Sequence, residues 1–219
     1  NKHSYFSCKV QGKEIRMFSC KFPKNIIVTA PHASYFISFF LKKNLSEDFK
    51  KNNYRLLKNF SDFGTKKILS PIPARNKIIS NFSRALGDPA RSIKSIDLFR
   101  LKDFNDVAIW KVPFSKHKKN ILIKKYYDKY HDRILKNING LISNIDKNKK
   151  IILIDVHDTG NMLLGSEPRD DMGRSENFPK ICLSNRDGKS CDPKIVSDFS
   201  KIIYSNMRVK PKLNKPYKG

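Results

Sequence analysis

The chain has 219 residues and carries 45 Lys plus Arg against 20 Asp plus Glu, a formal net charge of +25. Hydrophobic residues make up 39% and aromatics 11%, enough apolar surface for a packed interior, which excludes wholesale disorder. No apolar run reaches the ~18–20 residues that a membrane-spanning helix needs, so a helical span is excluded, and the length suits a single domain over 1–219.

In chain order, the first twenty-two residues alternate (Tyr5, Phe6, Val10, Ile15, Met17, Phe18) and predict an N-terminal hairpin turning at Gln11-Gly12. Residues 25–30 form a β-branched run ended by Pro31, which predicts a buried strand with His32 directly after it. From about 36 to 58 the apolar spacing predicts one or two amphipathic helices. Asp62 follows, in Ser61-Asp62-Phe63-Gly64-Thr65, where a helix cap or Asx turn is the ordinary role of such an Asp. Ile78-Ile79 predicts a second strand, ahead of Ser83-Arg84-Ala85-Leu86-Gly87-Asp88-Pro89-Ala90-Arg91.

The clearest helix spans about 120–144, with Ile123, Tyr127, Tyr130, Ile134, Ile138 and Leu141 on one face. Ile151 to Ile154 predicts another buried strand, stopping at Asp155-Val156-His157-Asp158. Pro179 to Leu183 suits a further strand, and Pro193 opens a helix to about Met207. Apolar strands alternating with helices predict the α/β class: a three-layer αβα sandwich with a mixed, mostly parallel sheet.

His32 and His157 stand in equivalent places, each just past the carboxyl end of a strand, where α/β folds gather their ligands. One such histidine would be read as a hydrogen-bonded polar residue. Two of them, out of five in the chain, point to a metal site whose third ligand should be a carboxylate. Asp155 suits a role orienting a ligand histidine, or capping the next loop. Arg84 and Arg91, seven apart around a Gly-Asp-Pro turn, could converge on one anion with Asp88 fixing one of them. His131, beside Tyr127 and Tyr130, could face a site or solvent.

The charge needs weighing separately. An excess of Lys and Arg is the first sign of a nucleic-acid binder, but here Lys falls in scattered pairs such as Lys42-Lys43 and Lys149-Lys150. Binding tails are blocks, so compositional bias is the simpler source, and nucleic acid or another polyanion is not the favoured partner. The four cysteines (8, 20, 182, 191) lack CxxC spacing, which argues against a Cys-metal site and leaves disulfides or thiols open. The oligomeric state stays open, and the cytoplasm is the slightly favoured compartment.

Pro31-His32-Ala33-Ser34, Ser61 to Thr65, Ser83-Arg84 through Asp88 and Arg91, Tyr127 through His131, Asp155-Val156-His157 and Ile181 to Cys191 occur in an order that resembles the N-formylglutamate amidohydrolases. The resemblance covers roughly residues 25–219. It implies a zinc-exopeptidase-like fold and hydrolysis of a small anionic N-acyl amino acid, N-formyl-L-glutamate giving formate and glutamate. It further implies that His32, Asp62 and His157 hold Zn²⁺, which would lower the pKa of water and polarise the formyl carbonyl. Arg91 would bind the α-carboxylate, Arg84 would steady the oxyanion, and His131 would contact substrate or support the site.

Two departures from the family pattern bear on this. Ala90-Arg91 stands where the pattern often reads Asn-Arg, removing one hydrogen-bonding side chain. The general-base glutamate that such enzymes carry near the C-terminus has no match here, so a C-terminal part is expected beyond Gly219, with Asp158 and Glu167 the nearest substitutes within the chain. The alternatives are a metallopeptidase or cell-wall amidase of the same fold, and a non-catalytic polyanion-binding protein.

Overall fold

The run Ile-Ile-Val-Thr-Ala has no polar face to offer water, and it becomes the middle strand of a sheet. In the computed structural model, which describes residues 5–10, 13–18, 22–52, 55–146, 149–158 and 179–215, strand β3 (Ile26–Ala30) is buried almost throughout. The chain divides into two compact units, residues 1–160 and 161–219.

In the first unit, β1 (Tyr5–Val10) and β2 (Lys13–Phe18) pair antiparallel, Tyr5 opposite Phe18 and Val10 opposite Lys13. This is the expected hairpin; the turn expected at 11–12 lies outside the described residues. β3 pairs in parallel with β4 (Lys77–Ile79) on one side and β5 (Ile152–Asp155) on the other, in the order β4-β3-β5. Ala30 aligns with Ile79, and Thr29 with Asp155. All three strands therefore point the same way, and their carboxyl ends share one edge.

Alternation across β3 divides its side chains between the two faces of the sheet. Val28 and Ala30 pack with Ala33 and Leu69, joined by Ile26, Ile79, Ile154 and Val156. β5 is less buried than its all-apolar sequence suggested, because it borders the described sheet, and Leu153 is exposed. The architecture is the α/β class expected, a small parallel sheet accompanied by helices.

The stretch from 36 to 58 departs from expectation. Instead of one or two long helices it makes α1 (Phe39–Lys42), α2 (Glu47–Lys51) and α3 (Arg55–Asn59), followed by α4 (Thr65–Ile68). The break has a tertiary cause. Residues 44–46 run extended against 109–111: the Ser46 N–H donates to Ile109 O, the Lys111 N–H donates to Asn44 O, and Leu45 bridges Trp110. A backbone bonded outward cannot also continue a helix ladder. Ser46 then caps α2, its Oγ accepting from the Phe49 N–H. Phe39 and Phe40 end up at the surface, while Leu41, Leu45, Phe49, Leu56 and Leu57 are buried.

The long helix starts earlier than expected, at α5 (Lys116–Leu122), where Ser115 supplies the cap. A π-helical turn over Ile123–Tyr127 leads into α6 (Asp128–Ile142). The predicted face is the inward one: Tyr130 is buried, and Ile123, Tyr127, Ile134, Ile138 and Leu141 are half-buried. Phe82 packs on Tyr126 and Tyr130, with ring centroids at 5.1 and 6.5 Å, and this fastens the helix to the loop after β4.

In the second unit, β6 (Cys182–Leu183) pairs in parallel with β7 (Lys212–Leu213), with α7 (Pro193–Met207) between them in sequence. The strand expected over 179–183 is thus only two residues long. Asp192 caps α7 ahead of Pro193, and Arg208 ends it at φ 56°. Asn185 and Asn214 tie the unit together: the Asn185 N–H donates to Asn214 Oδ1, and Asn214 Nδ2 donates to Asn185 Oδ1. No helix among the described residues is long and apolar enough to cross a membrane.

Candidate active site

The shared carboxyl edge of β3, β4 and β5 carries three loops, and backbone bonds lace them together. After β3 the chain turns at Pro31, and the His32 carbonyl accepts the Asp62 N–H at 2.8 Å. Thr65 closes the Asp62 turn, its Oγ1 donating to Asp62 O at 2.6 Å. A Cβ at Gly64 would run into the Asp158 carboxylate, so this turn sits against the segment that follows β5. After β4, the Ser80 N–H donates to Ala30 O and the Ser83 N–H to Phe36 O. Gly87 adopts φ +125°, a conformation that side-chain-bearing residues rarely take, and this turns Asp88 back toward the edge.

These loops bring together three of the residues singled out in the sequence. One ligand atom from each of His32, Asp62 and His157 lies within 4.8 Å of the others, close enough for one cation to sit among them. Asp62 Oδ2 is 3.3 Å from His32 Nδ1 and 2.9 Å from His157 Nδ1. The two imidazole rings lie 4.9 Å apart. His32 and Asp62 are buried, while the His157 side chain is 43% exposed, so the cluster is open on one side.

The outward nitrogen of each ring meets another carboxylate. His32 Nε2 is 2.7 Å from Asp88 Oδ1, and His157 Nε2 is 3.3 Å from Asp155 Oδ2. Asp155 thus stands where the sequence reading placed it, and buried Thr29 steadies it by donating from Oγ1 to Asp155 Oδ1 at 2.6 Å. Thr29 escaped sequence reasoning. Its signal was a lone hydroxyl in an otherwise apolar strand.

The electrostatics follow from this geometry. Burial on its own raises the Asp62 carboxyl, but hydrogen bonds from His157 and His32, with their charge, outweigh it and hold it well below the usual carboxylate range. Asp88 behaves alike: burial raises it, and His32 and Arg84 bring it down further than burial lifts it. Desolvation lowers His157, yet the bonds to Asp155 and Asp62 prevail and push it up to about 9.

Arg84, for which the resemblance implies an oxyanion, binds a buried carboxylate. Its Nε and Nη2 donate to Asp88 Oδ2 at 3.1 and 2.5 Å, and its guanidinium lies 5.3 Å from the ring centres of both Phe60 and Phe104. Arg91 is exposed, on a loop pinned through its own backbone, where the carbonyl accepts from Tyr127 Oη at 2.9 Å. Ala90 contributes its N–H, donated to Asp88 Oδ1 at 2.9 Å, a bond to which the missing Asn side chain is irrelevant. His131 packs against Tyr127 with ring centroids 4.3 Å apart and the rings tilted by 44°, and its Nε2 is buried with no hydrogen-bond partner among the described residues.

A donor set of two imidazoles and one carboxylate, with one side open, is the pattern that suits a catalytic Zn²⁺ and leaves a position for a reactant. The residues present fit such an ion.

The sequence pattern of the N-formylglutamate amidohydrolases matches residues 24–219. No curated protein matches the chain in sequence. Among solved structures, an N-formylglutamate amidohydrolase from Ralstonia eutropha JMP134 is similar at TM-score 0.68 and 17% identity, over 89% of this chain and 73% of that one. A gene product from Agrobacterium tumefaciens is similar at TM-score 0.60 and 16% identity, over 88% and 69%. At such identities the structural likeness speaks for the fold.

Proposed function

The chain belongs to the N-formylglutamate amidohydrolase family, and from that premise we propose that it is a metal-dependent hydrolase cleaving the acyl amide of a small anionic N-acyl amino acid, with N-formyl-L-glutamate the leading substrate. The observation that carries this reading is the cluster of His32, Asp62 and His157 ligand atoms within 4.8 Å at the carboxyl edge of the sheet. Those three side chains would hold the ion, which supplies Lewis acidity: it lowers the pKa of water and polarises an amide carbonyl.

The remaining roles fall to this chain's own groups. Asp88 and Asp155 hold the outer nitrogens of the two histidines, so that both rings offer Nδ1 inward. Arg91, exposed on its pinned loop, is the forked donor for the substrate's α-carboxylate. Its charge, with the wider Lys excess, draws anions toward the site. Hydrolysis breaks the C–N bond and forms a bond from the oxygen of water to the acyl carbon, so the acyl group leaves as its acid and one proton of the water leaves on the amine.

The test is metal content together with turnover. Protein stripped with a chelator and reloaded is expected to take up about one Zn²⁺ per chain and to release formate from N-formyl-L-glutamate, both lost in His32→Ala. No uptake and no formate release would overturn the reading. Turnover of short peptides in place of the formyl amino acid would move the protein to the peptidases of this fold.

A further inference from the structure

The two site histidines are held from behind in different ways. Asp88 is 1% exposed, and its carboxylate receives four donors. Oδ1 accepts from His32 Nε2 and the Ala90 N–H; Oδ2 accepts from Arg84 Nε and Nη2. A carboxylate offers about four lone-pair sites, so Asp88 is saturated and cannot turn to another partner without breaking several bonds at once. Arg84 is fixed in turn against Phe60 and Phe104, whose rings lie 5.1 Å apart. Because an ionised carboxylate only accepts, the ring nitrogen bonded to it must carry the proton. His32 therefore keeps N–H at Nε2 and turns Nδ1 inward, 3.3 Å from Asp62 Oδ2.

We propose that Asp88 is the positioning residue for His32, and that Arg84 serves the site by locking Asp88 rather than by touching substrate. The pair sets which way the His32 ring faces, with Nδ1 toward Asp62 Oδ2, before any cation arrives; naming a cation as what Nδ1 serves rests on the metal-dependent reading above. The corresponding carboxylate behind His157, Asp155, is 46% exposed and accepts from Thr29 Oγ1. One histidine is thus backed by a buried, saturated carboxylate, and the other by a half-exposed one. This arrangement also accounts for an arginine buried beside the site with its fork already occupied.

The experiment compares wild type with Asp88→Asn, Arg84→Lys and, as a charge control, Asp97→Asn, whose exposed carboxylate pairs with Arg100. Long-range ¹H–¹⁵N correlations on histidine-labelled protein report which ring nitrogen carries the proton, and chelator competition gives the Zn²⁺ Kd. Wild type is expected to show a slowly exchanging proton on His32 Nε2, with or without Zn²⁺. Asp88→Asn should lose that protection and bind Zn²⁺ about 10–100-fold more weakly. Arg84→Lys should fall between, and Asp97→Asn should match wild type.

Thermal melts establish that each variant is folded at the temperature of measurement; should Asp88→Asn fail, Arg84→Lys carries the comparison. A protected Nε2 proton and an unchanged Kd in both variants would overturn the proposal. If wild type takes up no Zn²⁺, yet the proton is protected and Asp88→Asn loses it, positioning stands and the metal reading is what falls.

Discussion

Replacing Arg84 with Met keeps most of the stem that packs near Phe60 and Phe104 and removes the guanidinium from Asp88. The Arg84 and Asp88 side chains are 8% and 2% exposed, so water cannot take over the lost partner. Breaking a buried pair by deleting one member costs about 3–5 kcal/mol, because the other charge stays behind uncompensated. For a chain of this length, each kcal/mol lowers Tm by about 2–4 °C, which puts the expected drop at roughly 6–20 °C. The chain holds its own control. Lys102 and Asp106 have the same four-residue spacing and a 3.1 Å contact, but they are 56% and 83% exposed. Lys102→Met should therefore cost only about 0–1 kcal/mol. Calorimetric melts of the two variants, run side by side in a chelator-containing buffer, make the comparison. If Arg84→Met melts no lower than Lys102→Met, the buried network is not what holds the loop after β4.

Three further outcomes follow from the same geometry. His157 is raised to about 9 in the folded protein, above its ordinary value near 6.5, so its contribution to stability is complete below about pH 6.5 and is lost as pH rises to 9. Asp62 and Asp88 are depressed, so their contribution is present above about pH 4 and is lost on acidification. The Tm of metal-free protein should therefore fall between pH 6.5 and 9 and again below 4, and a flat profile from 6.5 to 9 would count against the His157 contacts. Thr29→Val keeps the shape of β3 but removes the 2.6 Å bond to Asp155; with that acceptor half-exposed, the loss should be about 1 kcal/mol, or ~2–4 °C in Tm, and unchanged melting would refute it. Arg91→Ala should raise KM for N-formyl-L-glutamate about 10–100-fold while leaving Tm unmoved, since its side chain is exposed and the Tyr127 bond is to its backbone; an unaltered KM would remove Arg91 from substrate binding.

Much of this protein is legible in its sequence, because some of its signals are local and strong. The run from Ile26 to Ala30 has no polar face, so it had to be an interior strand, and Pro31 had to end it. Histidines just past two such strands fall at the carboxyl edge of any parallel sheet that includes both, which is why His32 and His157 could be paired before the fold was seen. The single apolar face of the helix carrying Tyr127 and Tyr130 follows from periodicity alone.

Other features depend on what the chain meets elsewhere in the fold. The spacing from 36 to 58 is helical, but the pairing of residues 44–46 with 109–111 breaks it, and that competition lies more than sixty residues away in sequence. Arg84 to Asp88 and Lys102 to Asp106 are both cation-to-carboxylate pairs at a spacing of four. Only the tertiary structure buries the first and leaves the second in water, which makes one a rigid support and the other a minor surface contact. The partner that Arg84 meets is another such case. The arginine's sequence neighbours allowed it to face a substrate anion, while the positive φ at Gly87 brings Asp88 back to accept both the guanidinium and the outer nitrogen of His32. Sequence put His32 and His157 forward as a pair, because residue type and strand ends are local properties. Burial decided which partners those residues keep, because the strength of a charge contact depends on how much water the whole fold excludes from it.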